Sequence, residues 1–171
     1  TEKVAIRDNT VVSGAAGVTI GSETSGGVRE IDVDGLKVLA GAPVVEKGMV
    51  ESDFAEMAAA GVTMLGEVGL GGVKEAEEAQ RMVGWARKHG IRSTIHTGGP
   101  SIPGSGLIDA DVVLAADADV IGHINGGHTA LPDAQIECLC ERCGRAIELV
   151  HNGNFRSALV ALRAAKELGQ L

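Results

Sequence analysis

The chain has 171 residues, 44% of them hydrophobic and 22% charged, which is enough apolar material for one globular core and excludes a disordered or low-complexity protein. Its formal net charge of −8 comes with no basic patch and with only 2% aromatic residues, which excludes nucleic acid as the expected partner. No membrane-spanning apolar run or signal peptide is evident, and the three cysteines are an odd number in one short stretch. We therefore expect a cytoplasmic protein without a membrane partner.

The first 34 residues consist of short runs of β-forming residues, for example Val18–Ile20 and Val28–Val33, between glycine, serine, asparagine and aspartate. None of these runs is long enough for a helix, and residues typical of turns recur every few positions. We therefore predict a β-rich segment at residues 1–34, separate from the remainder of the chain.

From Gly35 onwards, apolar strands alternate with helices. The predicted strands are Leu36–Ala40, Val62–Leu65, Ile91–Ile95, Ala118–Ile121 and Ala146–Val150. The predicted helices are Glu51–Ala60 (with Ser52 as its N-cap), Ala76–Lys88, Asp109–Ala115, Ala134–Cys143 and Phe155–Leu168. Strands that alternate with helices form parallel sheets. We therefore predict an α/β fold with a parallel sheet of about five β/α units over residues 35–171.

Three residues with metal-binding side chains stand at the ends of successive predicted strands: Glu67, His96 and His123. Ligands bind at the carboxyl ends of parallel strands, so these side chains are expected to share one rim of the sheet. A carboxylate and two imidazoles are suitable ligands for zinc or another divalent ion. The alternative is that each histidine is only a hydrogen-bonded structural residue, and the spacing leaves both interpretations open.

The same rim carries further polar residues. His151 and Asn152 follow the fifth predicted strand, and Asn125 lies in the glycine-rich loop after His123. We assign Asn125, His151 and Asn152 to substrate binding. For the pair at 151–152, the alternative is a cap on the helix that follows.

Cys138, Cys140 and Cys143 fall within one predicted helix. The spacing suggests a soft-metal site, but no fourth ligand accompanies it and a helix points Cys138 away from Cys140. We favour ordinary thiols.

The strand-end motifs resemble those of the amidohydrolase superfamily, and of its enamidase-like members most closely. They are GEVGLG at 66–71, HTGG at 96–99 and HINGG at 123–127, and the resemblance extends through residues 35–171. It implies that these residues form a partial parallel β/α barrel, with about five of the eight units of a complete barrel. In enamidase-like members a glutamate bridges two zinc ions, and Glu67 matches it, while His96 and His123 match the two histidines on the strands that follow.

This resemblance implies a metal-dependent hydrolase that cleaves a cyclic amide or enamide C–N bond of a small molecule with a metal-bound hydroxide. The implied cofactor is zinc, as one or two divalent ions, with iron or manganese as alternatives.

Two parts of the family pattern are missing. No His-x-His pair precedes Gly35, and the chain ends before the last-strand aspartate, so no catalytic residue can be named. A partial barrel leaves strand edges unpaired, which predicts a homo-oligomer. The alternative is a catalytically inactive α/β fragment or chimera that retains weak zinc binding.

The segment at residues 1–34 resembles a different family. The run GVTIGSETSGGV at 17–28 is similar to a motif of polygalacturonases, which are parallel β-helix glycoside hydrolases. Ala15-Ala16 occupies the place of that family's histidine, and its paired aspartates are absent, so the two carboxylates of a glycosidase site cannot be assembled. A carbohydrate-acting protein is therefore the remote alternative.

Overall fold

The structure is a computed structural model that describes residues 40–42 and 44–169. The β-rich segment predicted at residues 1–34, its boundary with the barrel and residues 36–39 of the first predicted strand lie outside the described residues. The polygalacturonase-like motif lies outside them as well. Among the described residues, no helix is both long and apolar enough to cross a membrane.

The described residues form one parallel sheet whose five strands follow each other in chain order. The strands are β1 (Ala40–Gly41), β2 (Val62–Val68), β3 (Arg92–Ile95), β4 (Val120–Ile121) and β5 (Ala146–Ile147). The helices are α1 (Glu51–Ala59), α2 (Ala76–Lys88), α3 (Ala110–Ala116), α4 (Asp133–Arg142) and α5 (Phe155–Glu167), with a 3-10 turn at Gly127–Thr129. This architecture confirms the predicted α/β fold with a partial β/α barrel.

The two faces of the sheet differ in burial. Leu65, Ile95 and Ile121 are at most 2% exposed and belong to one core with apolar residues of the helices. Side chains alternate between the faces of a strand, so their neighbours point to the other face. Of these neighbours, Met64 and Val120 are only partly buried. Within the described part of the chain, helices therefore cover one face, and the face that would line the barrel is open.

The second strand is longer than predicted. The prediction ended it at Leu65, but β2 continues to Val68, so Glu67 lies inside the strand. Pairing with β3 extends it, since Glu67 is opposite Thr94, and the register shifts between Met64 and Glu67. This irregularity accommodates Gly66 and directs the Glu67 side chain.

Helix boundaries follow the predictions closely, but two caps differ. Helix α1 begins after Val50, not at the predicted cap Ser52, because the Asp53 carboxylate accepts a hydrogen bond from the Val50 N–H at 2.8 Å. Helix α5 is capped by Asn154, whose side chain accepts from the Ser157 N–H at 3.2 Å, so the alternative that His151 and Asn152 cap this helix is wrong. The predicted helix start at Asp109 is the cap of α3.

Candidate metal centre

The structure brings Glu67, His96 and His123 together at the carboxyl edge of the sheet. Glu67 is the penultimate residue of β2, His96 directly follows β3, and His123 comes two residues after β4. One potential ligand atom from each residue lies within 4.8 Å of those of the other two. The expected convergence at one rim is therefore present, while metal binding itself stays a prediction.

The three side chains form a closed triangle. His123 Nε2 lies 3.1 Å from Glu67 Oε1, and His96 Nδ1 lies 3.5 Å from Glu67 Oε2. The third side joins His96 Nδ1 and His123 Nε2 at 3.1 Å. Each carboxylate oxygen thus faces a different imidazole, and all three residues turn electron-donating atoms towards the same small space. This donor set, one carboxylate and two imidazoles, fits a divalent ion.

The far side of the His96 ring fixes its tautomer. His96 Nε2 lies 3.0 Å from the carbonyl oxygen of Gly99, which can only accept a hydrogen bond. In the neutral ring the proton therefore resides on Nε2, and Nδ1 presents its lone pair to Glu67 and His123. Such a backbone partner on the outer nitrogen is the usual support of a metal-binding histidine. The side chain is 2% exposed, so its orientation is also held by packing.

His123 has a backbone conformation that is uncommon for a residue with a Cβ atom. Its φ is 32°, in the left-handed region, and such residues cost about 1–3 kcal/mol and cluster at functional sites. The turn also requires glycine at 126, because a Cβ there would lie 2.9 Å from His123 Nδ1 and 3.0 Å from the His123 carbonyl oxygen.

The Nδ1 atom of His123 is buried, and the described residues provide no hydrogen-bond partner for it. An unsatisfied buried polar atom costs about 1–3 kcal/mol. This atom is on the outer side of the ring, whereas Nε2 faces Glu67 and His96, so it does not distinguish a metal ligand from a structural histidine.

Electrostatics within the triangle keep the carboxylate ionised. Burial by itself raises the pKa of Glu67, but the hydrogen bond from His123 and the neighbouring His96 ring outweigh it and lower the pKa to about 2. The hydrogen bond to Glu67 raises the pKa of His123, although burial opposes this. The Glu67 carboxylate is therefore ionised before any metal binds, and His123 must release the proton on Nε2 before that atom can bind a cation.

The predicted substrate-binding residues fall into two groups. Asn125 is 2% exposed, and its side-chain amide is paired with the backbone of Val150: Nδ2 donates to the carbonyl oxygen at 3.0 Å and Oδ1 accepts from the N–H at 2.8 Å. Asn125 therefore braces the loop after β5. His151 and Asn152 are exposed on that loop. Substrate contact by these three residues stays a prediction.

One residue of the site was missed in the sequence: Glu148, whose Oε2 accepts a hydrogen bond from the His123 N–H at 3.0 Å. The sequence could have indicated Glu148 through its position two residues after Ala146 in the predicted strand. Residues two apart share a face of a strand, and Ala146 pairs with Val120, so the Glu148 side chain is expected on the barrel-lining face.

The cysteines belong to no metal-binding cluster of three or more ligands among the described residues. Cys140 and Cys143 are reduced thiols that donate to backbone carbonyl oxygens of Ala161 and Arg145. Their geometry agrees with the favoured interpretation as ordinary thiols.

Comparison with known proteins finds similarity to enamidase both by sequence and by structure. Enamidase of Eubacterium barkeri is 47% identical over 137 residues, which make up 80% of this chain and 36% of the relative. A crystal structure of enamidase, described as a new member of the amidohydrolase superfamily, matches with a TM-score of 0.69 and 46% identity, and covers 75% of this chain and 34% of that one. No family model matches the chain. The chain thus spans about a third of the length of the proteins it matches.

Proposed function

We propose, from the homology of this chain to about a third of an amidohydrolase-superfamily enamidase, that it forms part of a metal-dependent hydrolase of the amidohydrolase type. The observation that carries this proposal is the convergence of ligand atoms from Glu67, His96 and His123 within 4.8 Å at the carboxyl edge of a parallel sheet. The proposed reaction is cleavage of a cyclic amide or enamide C–N bond in a small-molecule substrate.

Glu67, His96 and His123 would hold the metal. Zinc is the first choice for one carboxylate and two imidazoles, as one or two ions, and iron or manganese are the alternatives. When bound, a divalent ion polarises a carbonyl group and lowers the pKa of water, which supplies a nucleophile near neutral pH. The residues of this chain contribute an ionised Glu67 carboxylate and a His96 ring whose tautomer is set by Gly99.

We propose that the loop after β5 forms one wall of the substrate site. His151 and Asn152 are exposed there and can offer an imidazole and an amide to a small polar molecule. Asn125 would act on the substrate mainly by holding Val150, and thereby the loop, in place.

We further propose that the protein is a cytoplasmic homo-oligomer. The barrel-lining face of the described sheet is only partly buried at Met64 and Val120. Association would cover this apolar surface. Three cysteines between 138 and 143 that form no disulfide suit a reducing compartment.

The first test measures the metal content of the purified chain by mass spectrometry. We expect about one zinc ion or more per chain, most of it lost in His96→Ala. His128→Ala is the matched control, because His128 is exposed on the 3-10 turn beside the centre and is expected to leave the metal content unchanged. Equal metal content in wild type and His96→Ala would refute the proposed centre.

The second test measures turnover of cyclic amides and enamides with added zinc. Zinc-dependent turnover that His96→Ala abolishes supports the hydrolase. Metal binding without turnover favours the alternative, an inactive α/β module with residual zinc binding.

A further inference from the structure

We propose that Glu148 is a positioning residue for His123: its carboxylate fixes the His123 backbone so that Nε2 faces Glu67 and His96. The expected effect of Glu148 on metal binding rests on the proposed metal centre. The hydrogen bond between Glu148 and His123 can be tested without a metal.

The contact begins at the end of the fifth strand. Glu148 directly follows β5, and its Oε2 lies 3.0 Å from the backbone nitrogen of His123. The Glu148 main chain is held by the fourth strand and by the turn after it. Its N–H donates to the carbonyl oxygen of Ile121 at 2.9 Å, and its carbonyl oxygen accepts from the Ile124 N–H at 3.0 Å. The carboxylate is therefore presented from a backbone that is itself fixed.

His123 needs such support. A residue with φ of 32° persists only where its surroundings impose the conformation. Three successive N–H groups of this turn have acceptors: Gly122 donates to the Ile95 carbonyl oxygen, His123 to the Glu148 carboxylate and Ile124 to the Glu148 carbonyl oxygen. Glu148 thus provides two of the three acceptors, and the one that holds His123 itself is the side chain.

The Glu148 carboxylate accepts the hydrogen bond from the His123 N–H and has no competing ion pair among the described residues. Glu148 forms no ion pair with any lysine, arginine or histidine side chain in the described part of the chain. Hydrogen bonds from a backbone N–H to an ionised carboxylate are stronger than those to a neutral acceptor. Glu148 is itself exposed to solvent, and its hydrogen bond from the His123 N–H is the contact on which its proposed role depends.

The test compares Glu148→Ala, Glu148→Gln and the matched control Glu141→Ala, which removes an exposed glutamate of α4. The first readout, on chelated protein, is amide hydrogen exchange at His123 by NMR. We expect exchange to accelerate by about tenfold or more in Glu148→Ala, because the N–H loses its acceptor. In Glu148→Gln, whose side-chain oxygen can still accept, and in Glu141→Ala, exchange should stay near wild type.

The second readout is zinc affinity by competition with a chromophoric chelator. Loss of a residue that orients a ligand weakens metal binding by about 10- to 100-fold, and this is expected for Glu148→Ala but not for Glu148→Gln. Unchanged His123 exchange in a folded Glu148→Ala would overturn the proposal, as would unchanged zinc affinity. If Glu148→Ala does not fold, Glu148→Asp, which keeps the charge but is one methylene shorter, should show the same losses.

The two proposals fail separately. If the wild type binds no zinc, the metal centre is refuted, while exchange at His123 still decides whether Glu148 holds the turn. If the wild type binds zinc and Glu148→Ala binds it as tightly as Glu148→Gln does, the metal centre stands and the positioning role of Glu148 is refuted.

Discussion

Nδ1 of His96 and Nε2 of His123 lie 3.1 Å apart, too close for both atoms to carry protons that point at each other. Glu67 offers one oxygen to each ring, at 3.5 Å and 3.1 Å. Without a metal, the space between the rings therefore holds one proton at most. The same space suits a cation, which would replace the proton and draw on all three side chains. The pH dependence of zinc affinity follows from this competition.

Zinc affinity should rise with pH beyond the range of an ordinary histidine. Metal binding displaces a proton from His123, and the hydrogen bond to Glu67 raises the pKa of that residue above 6.5. Apparent affinity should thus increase as pH rises through this raised value and level off only above it. Chelator competition between about pH 5.5 and 9 measures the curve. Glu67→Gln should bind more weakly and level off at a lower pH, and an affinity independent of pH would contradict the idea.

The metal-free protein should be most stable in a defined pH window. Glu67 has its pKa lowered from 4.5 to about 2, so its contribution is complete above the unfolded value and is lost as pH falls towards 2. The raised pKa of His123 contributes below 6.5 and is lost as pH rises through the folded value. Glu67→Gln should therefore lower the free energy of unfolding by about 1–2 kcal/mol more near pH 6 than near pH 3. Urea titrations of chelated protein measure this difference, and an equal effect at both pH values would contradict it.

Gly126→Ala should damage the centre without unfolding the chain. Gly126 has φ of −61°, which alanine tolerates, but the new Cβ would lie 2.9 Å from His123 Nδ1. The ring must move, so zinc affinity should fall by about tenfold or more while the circular dichroism spectrum is retained. Gly84→Ala is the control, since a Cβ there meets nothing within 4 Å inside α2. The control should stabilise the protein by about 0.5–1 kcal/mol and leave zinc affinity unchanged. Normal zinc binding by Gly126→Ala would show that His123 does not need this turn.

Asn125→Asp should loosen the loop after β5. The substitution removes the donor to the Val150 carbonyl oxygen and puts a carboxylate oxygen there, in a site that is 2% exposed. We expect a loss of about 1–3 kcal/mol in the free energy of unfolding and faster amide exchange near Val150. Asn152→Asp, at an exposed position of the same loop, should change stability little. Equal stabilities of the two variants would show that Asn125 does not brace the loop.

The helices and the rim site were predictable for specific reasons. Helix α2 occupies its predicted range, Ala76–Lys88, because apolar residues recur at helical spacing and Gly90 follows. The trio at the rim was predictable because parallel strands present their carboxyl ends at one edge. The extension of β2 through Gly66 was not, since a glycine is typical of a strand end until pairing with β3 carries the strand past it.

The pattern of residues along the chain was sufficient for the fold class and for Glu67, His96 and His123 as candidate ligands, because both follow from local periodicity and strand direction. It was not sufficient for the roles of Glu148 and Asn125. Each acts on a backbone group 25 residues away in the chain, through hydrogen bonds that exist once β4 and β5 are paired. Local periodicity carries no information about such pairs, because their geometry arises from packing between elements.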